Sequence, residues 1–464
     1  MKVESTAVSG SFRDPSGFLF WDENRLFRQV NEAYREHYDK LIVSGLYEKL
    51  AGSGQLVEHE ECDLKLACTA AAYKIIRPTL VPFISYPYEW CFSQLKDAAL
   101  LTLAIQKTAL EYGMSLKDAS AFNVQFVHGR PLLIDTLSFE KYPEERPWVA
   151  YRQFCQHFLA PLALMAHRDI RLNQLSRLYL DGIPLDLAGS LMPARTRIKF
   201  SLLSHIHLHA RSQKRYADKP LRSKQRPMSR FALLALLNSL ETAVKKLHWH
   251  PSGSEWADYY GHTNYSDQAL EFKKNLIADF LQLLNPRHVW DIGANTGVFS
   301  RLASQRNIPT VALDIDAAAV EKNYLQCRRS GDRFLLPLVG DITNPSPGIG
   351  WENDERMSLL QRCPIDTVLA LALVHHLAIA NNLPLAKIAD LFSRFCRNLI
   401  IEFIPKSDSQ VRLLLATRDD IFPDYHACGF EKEFQLYFTI ERREAIAQTD
   451  RILYAMRSRV HAGK

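Results

Sequence analysis

From residue 288 onward, short apolar runs alternate with amphipathic segments. The runs are HVWDIGA, TVALDID, FLLPLVGD, DTVLALAL and NLIIEFI; between them lie VFSRLASQRN, AAAVEKNYLQCRRSG and LPLAKIADLFSRFCR. Unbroken apolar runs of strand length predict strands buried on both faces, and their alternation with helical periodicity predicts a doubly wound α/β unit around a parallel sheet. FQLYFTIERR and RILYAMRSR then predict a closing antiparallel hairpin. Ahead of the first run, FALLALLNSLETAVKKL and SDQALEFKKNLIADFLQLL carry helical periodicity, the second beginning at Ser266, a residue suited to an N-cap.

The stretch Arg211 to Arg230, RSQKRYADKPLRSKQRPMSR, has no apolar periodicity, contains Pro220 and Pro227, and is dense in Lys and Arg. It reads as a basic linker, with an anion-binding strip as the alternative. The pattern thus divides the chain into residues 1–210, a linker 211–230 and residues 231–464. The length of 464 residues allows two to four domains at about 150 residues each.

Composition narrows the class. Hydrophobic content of 47% and charged content of 23% exclude a disordered or collagen-like chain. No stretch reaches the ~20 apolar residues of a membrane span, and the N-terminus lacks the apolar core of a secretory signal, so a cytoplasmic location is expected. A net charge of +6 is too small to imply nucleic acid. The eight cysteines form no CxxC pair and read as reduced core thiols.

The strongest chemistry lies in VWDIGANTGVFS. Asp291 ends a strand, Gly293 and Gly297 permit a sharp turn and a close backbone approach to a ligand, and a helix follows. Asp314, in VALDID, falls where a carboxylate at the next strand tip accepts ribose hydroxyls. A diphosphate cofactor calls for G-x-G-x-x-G, which is absent; an acid aimed into the loop suits a cationic ligand instead. With G-D-I at Gly340 to Ile342, the region from about residue 255 to 464 resembles the class I S-adenosylmethionine-dependent methyltransferases. The resemblance implies a Rossmann-like seven-stranded sheet with a final antiparallel hairpin. It also implies S-adenosyl-L-methionine as cofactor: Gly293, Ala294, Asn295 and Gly297 in the loop beside the methionine moiety, Asp291 near its amino group, Asp314 on the ribose, and Ile315, Asp341 and Ile342 around the adenine. No metal is implied at this site.

For the acceptor side, the resemblance points to His375 and His376 at the end of the fourth strand, either of which could act as general base, and to Glu402 at the end of the fifth. The segment EWADYYGHTNYSDQALEFKK supplies Tyr259, Tyr260, Tyr265 and Lys273; in similar enzymes it folds over the cofactor as a lid. An aromatic packing patch is the competing reading.

The first half carries a second pattern, LKDASAFNVQFVHGRPLLIDTLSFE. Asp118 and Asn123 have the D-x-x-x-x-N spacing of a phosphotransferase catalytic loop, and Asp135 follows a short hairpin where a magnesium-binding aspartate would sit. With the apolar helix of QLKDAALLTLAIQKTALEYG ahead of it, this half resembles the aminoglycoside phosphotransferase and kinase-like fold, α+β in class, with ATP and magnesium as implied cofactors. It departs from that pattern at Lys117, at Thr136-Leu137 and in lacking a recognisable glycine loop. Arg28 or Lys74 would replace the strand lysine, with Glu32 or Glu36 as partner. HIHLH places His205 and His209 on one helix face, but without a third ligand it reads as packing rather than a metal site.

The expected function is methyl transfer from S-adenosylmethionine to oxygen of a small or carrier-linked acceptor. Enzymes that cap bacterial surface polysaccharides pair similar halves in the opposite order, which implies a glycan-type acceptor. An ATP-dependent phosphotransferase with a regulatory methyltransferase-like half, a bifunctional enzyme and a binding scaffold are the alternatives. Nucleic acid is not expected as partner.

Overall fold

The computed structural model describes residues 6–208, 227–251, 266–363, 365–416 and 418–460. It divides into two compact units, residues 1–250 with 349–356, and residues 251–348 with 357–464. Among the described residues no helix is long and apolar enough to cross a membrane.

The first unit opens with a five-stranded antiparallel sheet in the order β1-β2-β3-β5-β4, formed by Thr6–Ala7, Gly17–Asp22, Arg25–Asn31, His59–Cys62 and Ala72–Pro78. The helix Phe92–Glu111 follows, apolar along one whole side and buried there through Leu95, Ala99, Leu103 and Leu110. Behind it come β6 (Met114–Leu116), the hairpin of β7 (Val124–Val127) with β8 (Arg130–Leu133), and β9 (Phe139–Lys141) paired with β6. The hairpin separates Asn123 from Asp135, as the sequence spacing predicts.

The charge run suggests a seam near residue 230. The helix Arg230–Lys246 nevertheless lies in the first unit, because its stripe of Leu233, Leu237, Leu240 and Val244 is buried there and Lys96 donates to the carbonyls of Lys245 and Leu247. The division of the chain falls at His250/Pro251.

The second unit is mixed α/β around a mostly parallel sheet. Its strands are β10 (Val289–Ile292), β11 (Thr310–Asp314), β12 (Leu335–Val339), β13 (Ile365–Ala370), β14 (Cys396–Phe403), β15 (Phe438–Ala445) and β16 (Ile452–Ser458). They lie in the order β12-β11-β10-β13-β14-β16-β15, with β16 antiparallel to both neighbours. Every residue of β10 is buried, the expected state for a strand covered on both faces. β10 lies between β11 and β13, parallel to both, so the strand order reverses at β10 and opens a crevice at the carboxyl ends of these strands. Ser266 caps the helix Asp267–Leu284, accepting the amide of Ala269 at 3.2 Å.

Of the eight cysteines, Cys91, Cys155, Cys327 and Cys396 are buried; Cys68 and Cys428 are exposed, so the core-thiol expectation holds for only part of the set.

Candidate functional site

A cavity of about 350 Å³ fills the crevice of the second unit. Its floor is the turn after β10. Gly293 and Gly297 both have positive φ, +76° and +78°, and Asn295 at +50° joins them in the left-handed region. A Cβ on Gly297 would lie 2.5 Å from the Asn323 amide nitrogen, so both the dihedral and the space select glycine there. Arg301 braces the same turn, donating to the carbonyl of Thr296 at 2.6 Å and to Asn323 Oδ1 at 2.7 Å.

Two carboxylates face the cavity. Asp291 is buried and accepts the Ser300 hydroxyl at 2.6 Å; burial pushes its pKa up to about 7. Asp314 accepts the amides of Asn295 at 2.7 Å and Asp316 at 2.8 Å, and burial raises it to about 6. Aliphatic walls surround these acids, through Ile292, Ile315, Leu371 and Leu377. Low-dielectric walls around two carboxyls make a site that gains from a cation and from hydroxyl donors.

The cavity collects Asp291, Gly293, Ala294, Asn295, Asp314, Ile315, Asp341 and Ile342 from the sequence reading, together with Lys273 and His376. Gly297 shapes the turn without lining the cavity. Tyr259, Tyr260 and Tyr265 lie outside the described residues. Among residues the sequence did not single out, Phe299, Leu373 and Ala372 also line it. Phe299 could have been read two positions after Gly297; Ala372 carries no sequence signal.

Three expected site residues are reassigned. Lys273 does reach the cavity wall, but it is only 1% exposed and its Nζ lies 2.6 Å from Glu402 Oε2, so its charge is already paired. Burial lowers its pKa, against the pull of Glu402. Glu402 does not line the cavity: it is fully buried, accepting hydrogen bonds from Lys273 at 2.6 Å and the Ala372 amide at 2.8 Å, with Arg451 as an ion-pair partner at 3.5 Å. A carboxylate so committed is not an acceptor-side base. His375 is buried at 2% exposure behind His376, ring centroids 4.2 Å apart, and its Nδ1 has no hydrogen-bond partner among the described residues. His376 alone of the pair faces the cavity; burial lowers its pKa, which keeps the ring neutral near pH 7.

In the first unit, Asp118 and Asp135 come together closely enough that Asp135 adds to the upward shift that burial gives Asp118. Asp118 accepts the Ser120 amide at 2.9 Å and the Gln153 amide group at 2.7 Å. Asn123 donates to the Ser138 hydroxyl at 3.2 Å. Asp135 is spent on protein groups: Arg28 at 2.6 Å and the Leu137 amide at 3.0 Å on Oδ1, and the Ser138 hydroxyl at 2.7 Å on Oδ2. Burial opposes ionisation of Asp135, but these donors outweigh it and its pKa lies below the ordinary value. A guanidinium and two further donors on that carboxylate do not fit a magnesium ion, and the ATP and magnesium expectation finds no support in this arrangement.

Arg28, not Lys74, thus reaches the aspartate; Lys74 pairs with Glu61 at 2.6 Å. Glu32 and Glu36 pair with Arg35 and Lys141 instead of Arg28. Lys117 donates to the Ser16 hydroxyl at 2.7 Å, in the loop before β2. Among the described residues no group of three His, Cys, Asp or Glu could hold a metal ion. His205 bonds Tyr151 at 2.8 Å and Ser239 at 2.9 Å, His207 bonds Thr196 at 2.9 Å, and His209 lies outside the described residues.

No protein-family model matches the chain. It is 33% identical over 455 residues to the nodulation protein NoeA of Rhizobium meliloti (strain 1021), covering 96% of this chain and 95% of that protein. Solved structures are more distant. The bifunctional kinase-methyltransferase WbdD is 15% identical at a TM-score of 0.29, over 43% of this chain and 41% of that chain. The magnesium protoporphyrin IX methyltransferase of Synechocystis PCC 6803 with bound SAH is 19% identical at a TM-score of 0.30, over 44% of this chain and 93% of that one. At such scores the likeness carries no functional weight.

Proposed function

The chain belongs to the family of the nodulation protein NoeA, and we propose that its second unit is an S-adenosylmethionine-dependent methyltransferase. The acceptor is an oxygen of a small or carrier-linked, glycan-type molecule, and the enzyme is a cytoplasmic bacterial one. The observation that carries this reading is the pairing of Asp291 and Asp314 on adjacent strand tips over the left-handed turn at Gly293 to Gly297. These residues fit the ligand. Asp291 would take its ammonium, Asp314 its ribose hydroxyls, and the aliphatic walls at Ile315 and Ile342 its base.

When bound, the sulfonium supplies a transferable methyl group. The remaining work belongs to this chain: holding donor and acceptor in line and taking the acceptor's proton. His376, neutral and facing the cavity, is the group suited to accept that proton from a hydroxyl. The first unit is read as a kinase-like scaffold without phosphotransfer, on account of the Arg28–Asp135 pair.

Calorimetric titration of the full chain with S-adenosylmethionine, S-adenosylhomocysteine and magnesium-ATP tests the proposal. Both sulfur nucleosides are expected to bind and to lose binding in Asp314→Ala. Unchanged affinity in that variant, or no binding by the native chain, would overturn the assignment.

A further inference from the structure

Ala372 has φ of +49°, in the left-handed region that a residue with a Cβ rarely adopts. Single residues held there are strained and persist only where surrounding contacts over-determine them. The contact here is unusual in being charged and dry. The Ala372 amide donates at 2.8 Å to Glu402 Oε2, on a strand whose carboxylate is fully removed from solvent. The same oxygen takes Lys273 Nζ at 2.6 Å, and Oε1 lies 3.5 Å from Arg451. Glu402 therefore joins three places at one point: the helix Asp267–Leu284, the turn after β13, and Arg451 immediately before β16.

That turn matters because of what it carries. Ala372, Leu373 and His376 all line the cavity, and the carbonyl of Leu373 accepts the amides of His376 at 3.0 Å and Leu377 at 3.2 Å. Rotation of the Ala372 backbone out of the left-handed region would swing Leu373 and His376 as a unit. Charge-assisted hydrogen bonds to a backbone amide are among the stronger local restraints, more so in a buried setting.

We propose that Glu402 is a positioning residue: its carboxylate clamps Ala372 in its left-handed conformation and so holds the Leu373–His376 wall in the geometry that receives the nucleoside. This rests on the methyltransferase reading of the cavity. Glu402 itself touches no reacting atom.

The test keeps buried charge constant. Lys273→Met/Glu402→Gln retains an acceptor for the Ala372 amide, whereas Lys273→Met/Glu402→Met removes it; neither leaves an ammonium unpaired. S-adenosylhomocysteine affinity is measured by calorimetry for both, with and without Ala372→Gly, which can adopt positive φ without strain. The glutamine form is expected to bind at least tenfold more tightly than the methionine form, and Ala372→Gly to close that gap. Equal affinities in the two forms, or no recovery with glycine, overturn the clamp. Failure of the native chain to bind would instead overturn the methyltransferase reading. Amide hydrogen exchange in the native protein gives a second readout should the methionine form not fold. Ala372 is expected to be as protected as the amides of β13, and exchange as fast as that of an exposed loop overturns the clamp.

Discussion

Ser300 donates its hydroxyl to Asp291 across 2.6 Å, directly beneath the glycine turn of the cavity. That bond is the chief opposition to burial at Asp291, and burial still wins, raising the carboxyl to about 7; Asp314 stands at about 6. Both acids are therefore partly protonated at neutral pH unless a cation holds them ionised.

The pH consequence has a definite sign. A carboxyl whose folded pKa is raised binds more protons folded than unfolded, so it detracts from stability as pH rises from about 4 through its folded value. A cationic ligand needs the ionised forms. Affinity for S-adenosylmethionine is expected to rise by about tenfold or more between pH 5 and 8, the range over which carboxyls of pKa about 6 and about 7 ionise. Calorimetry across that range checks it, and in Asp291→Asn the upper part of the rise should vanish. A flat profile in the native protein would count against the acids as the cation's partners.

Lys273→Met leaves the fully buried Glu402 with Arg451, at 3.5 Å, as its remaining cation among the described residues. Removing one partner of a buried pair costs about 3–5 kcal/mol, whereas removing both costs far less. Thermal or urea unfolding should show a large loss in Lys273→Met and substantial recovery in Lys273→Met/Glu402→Met. Additive losses would mean that the pair is not energetically coupled.

At Gly297 a methyl group meets the Asn323 amide at 2.5 Å from a backbone at φ +78°. Gly297→Ala is expected to destabilise the chain by about 1–3 kcal/mol through strain and to abolish nucleoside binding by displacing the turn. The companion Gly331→Ala, also at positive φ but with open space around its Cβ, should cost only the backbone term and leave binding intact. Loss of binding in both would place the effect in general stability rather than in the turn.

The sheet was legible in the sequence for a physical reason. Strands buried on both faces read as unbroken apolar runs, and each of the five runs overlaps one of β10 to β14. The acids at 291 and 314 were legible because strand tips and glycine turns recur at fixed spacing. The sequence marks Glu402 and Lys273 as site residues but not as partners, since they lie 129 residues apart and no local pattern announces a buried pair. Ala372 was hidden because its strain is imposed by tertiary contact rather than by a residue type that favours it. The helix Arg230–Lys246 belongs to the first unit although the charge run precedes it, because a charge run marks exposure, not a change of core.

Arg28 and Asp135 allow a last prediction, on the first unit. Their side chains are 11% and 15% exposed and meet at 2.6 Å, and Asp135 is held ionised below its ordinary pKa. A carboxyl depressed in this way adds stability that is present above its unfolded pKa and lost as pH falls through the folded value. Arg28→Met leaves the aspartate buried with hydrogen bonds and only the weaker charge of Lys117 as counter-ion, and should destabilise the unit by about 3 kcal/mol at pH 7. The deficit should shrink toward pH 4, where the unpaired Asp135 of the variant protonates. Urea unfolding at pH 4, 5.5 and 7 reads this directly: a penalty independent of pH would assign the loss to packing of the arginine stem and not to the ion pair. The same variant, titrated with magnesium by calorimetry, asks whether a freed Asp135 gains a metal that the native arrangement does not fit.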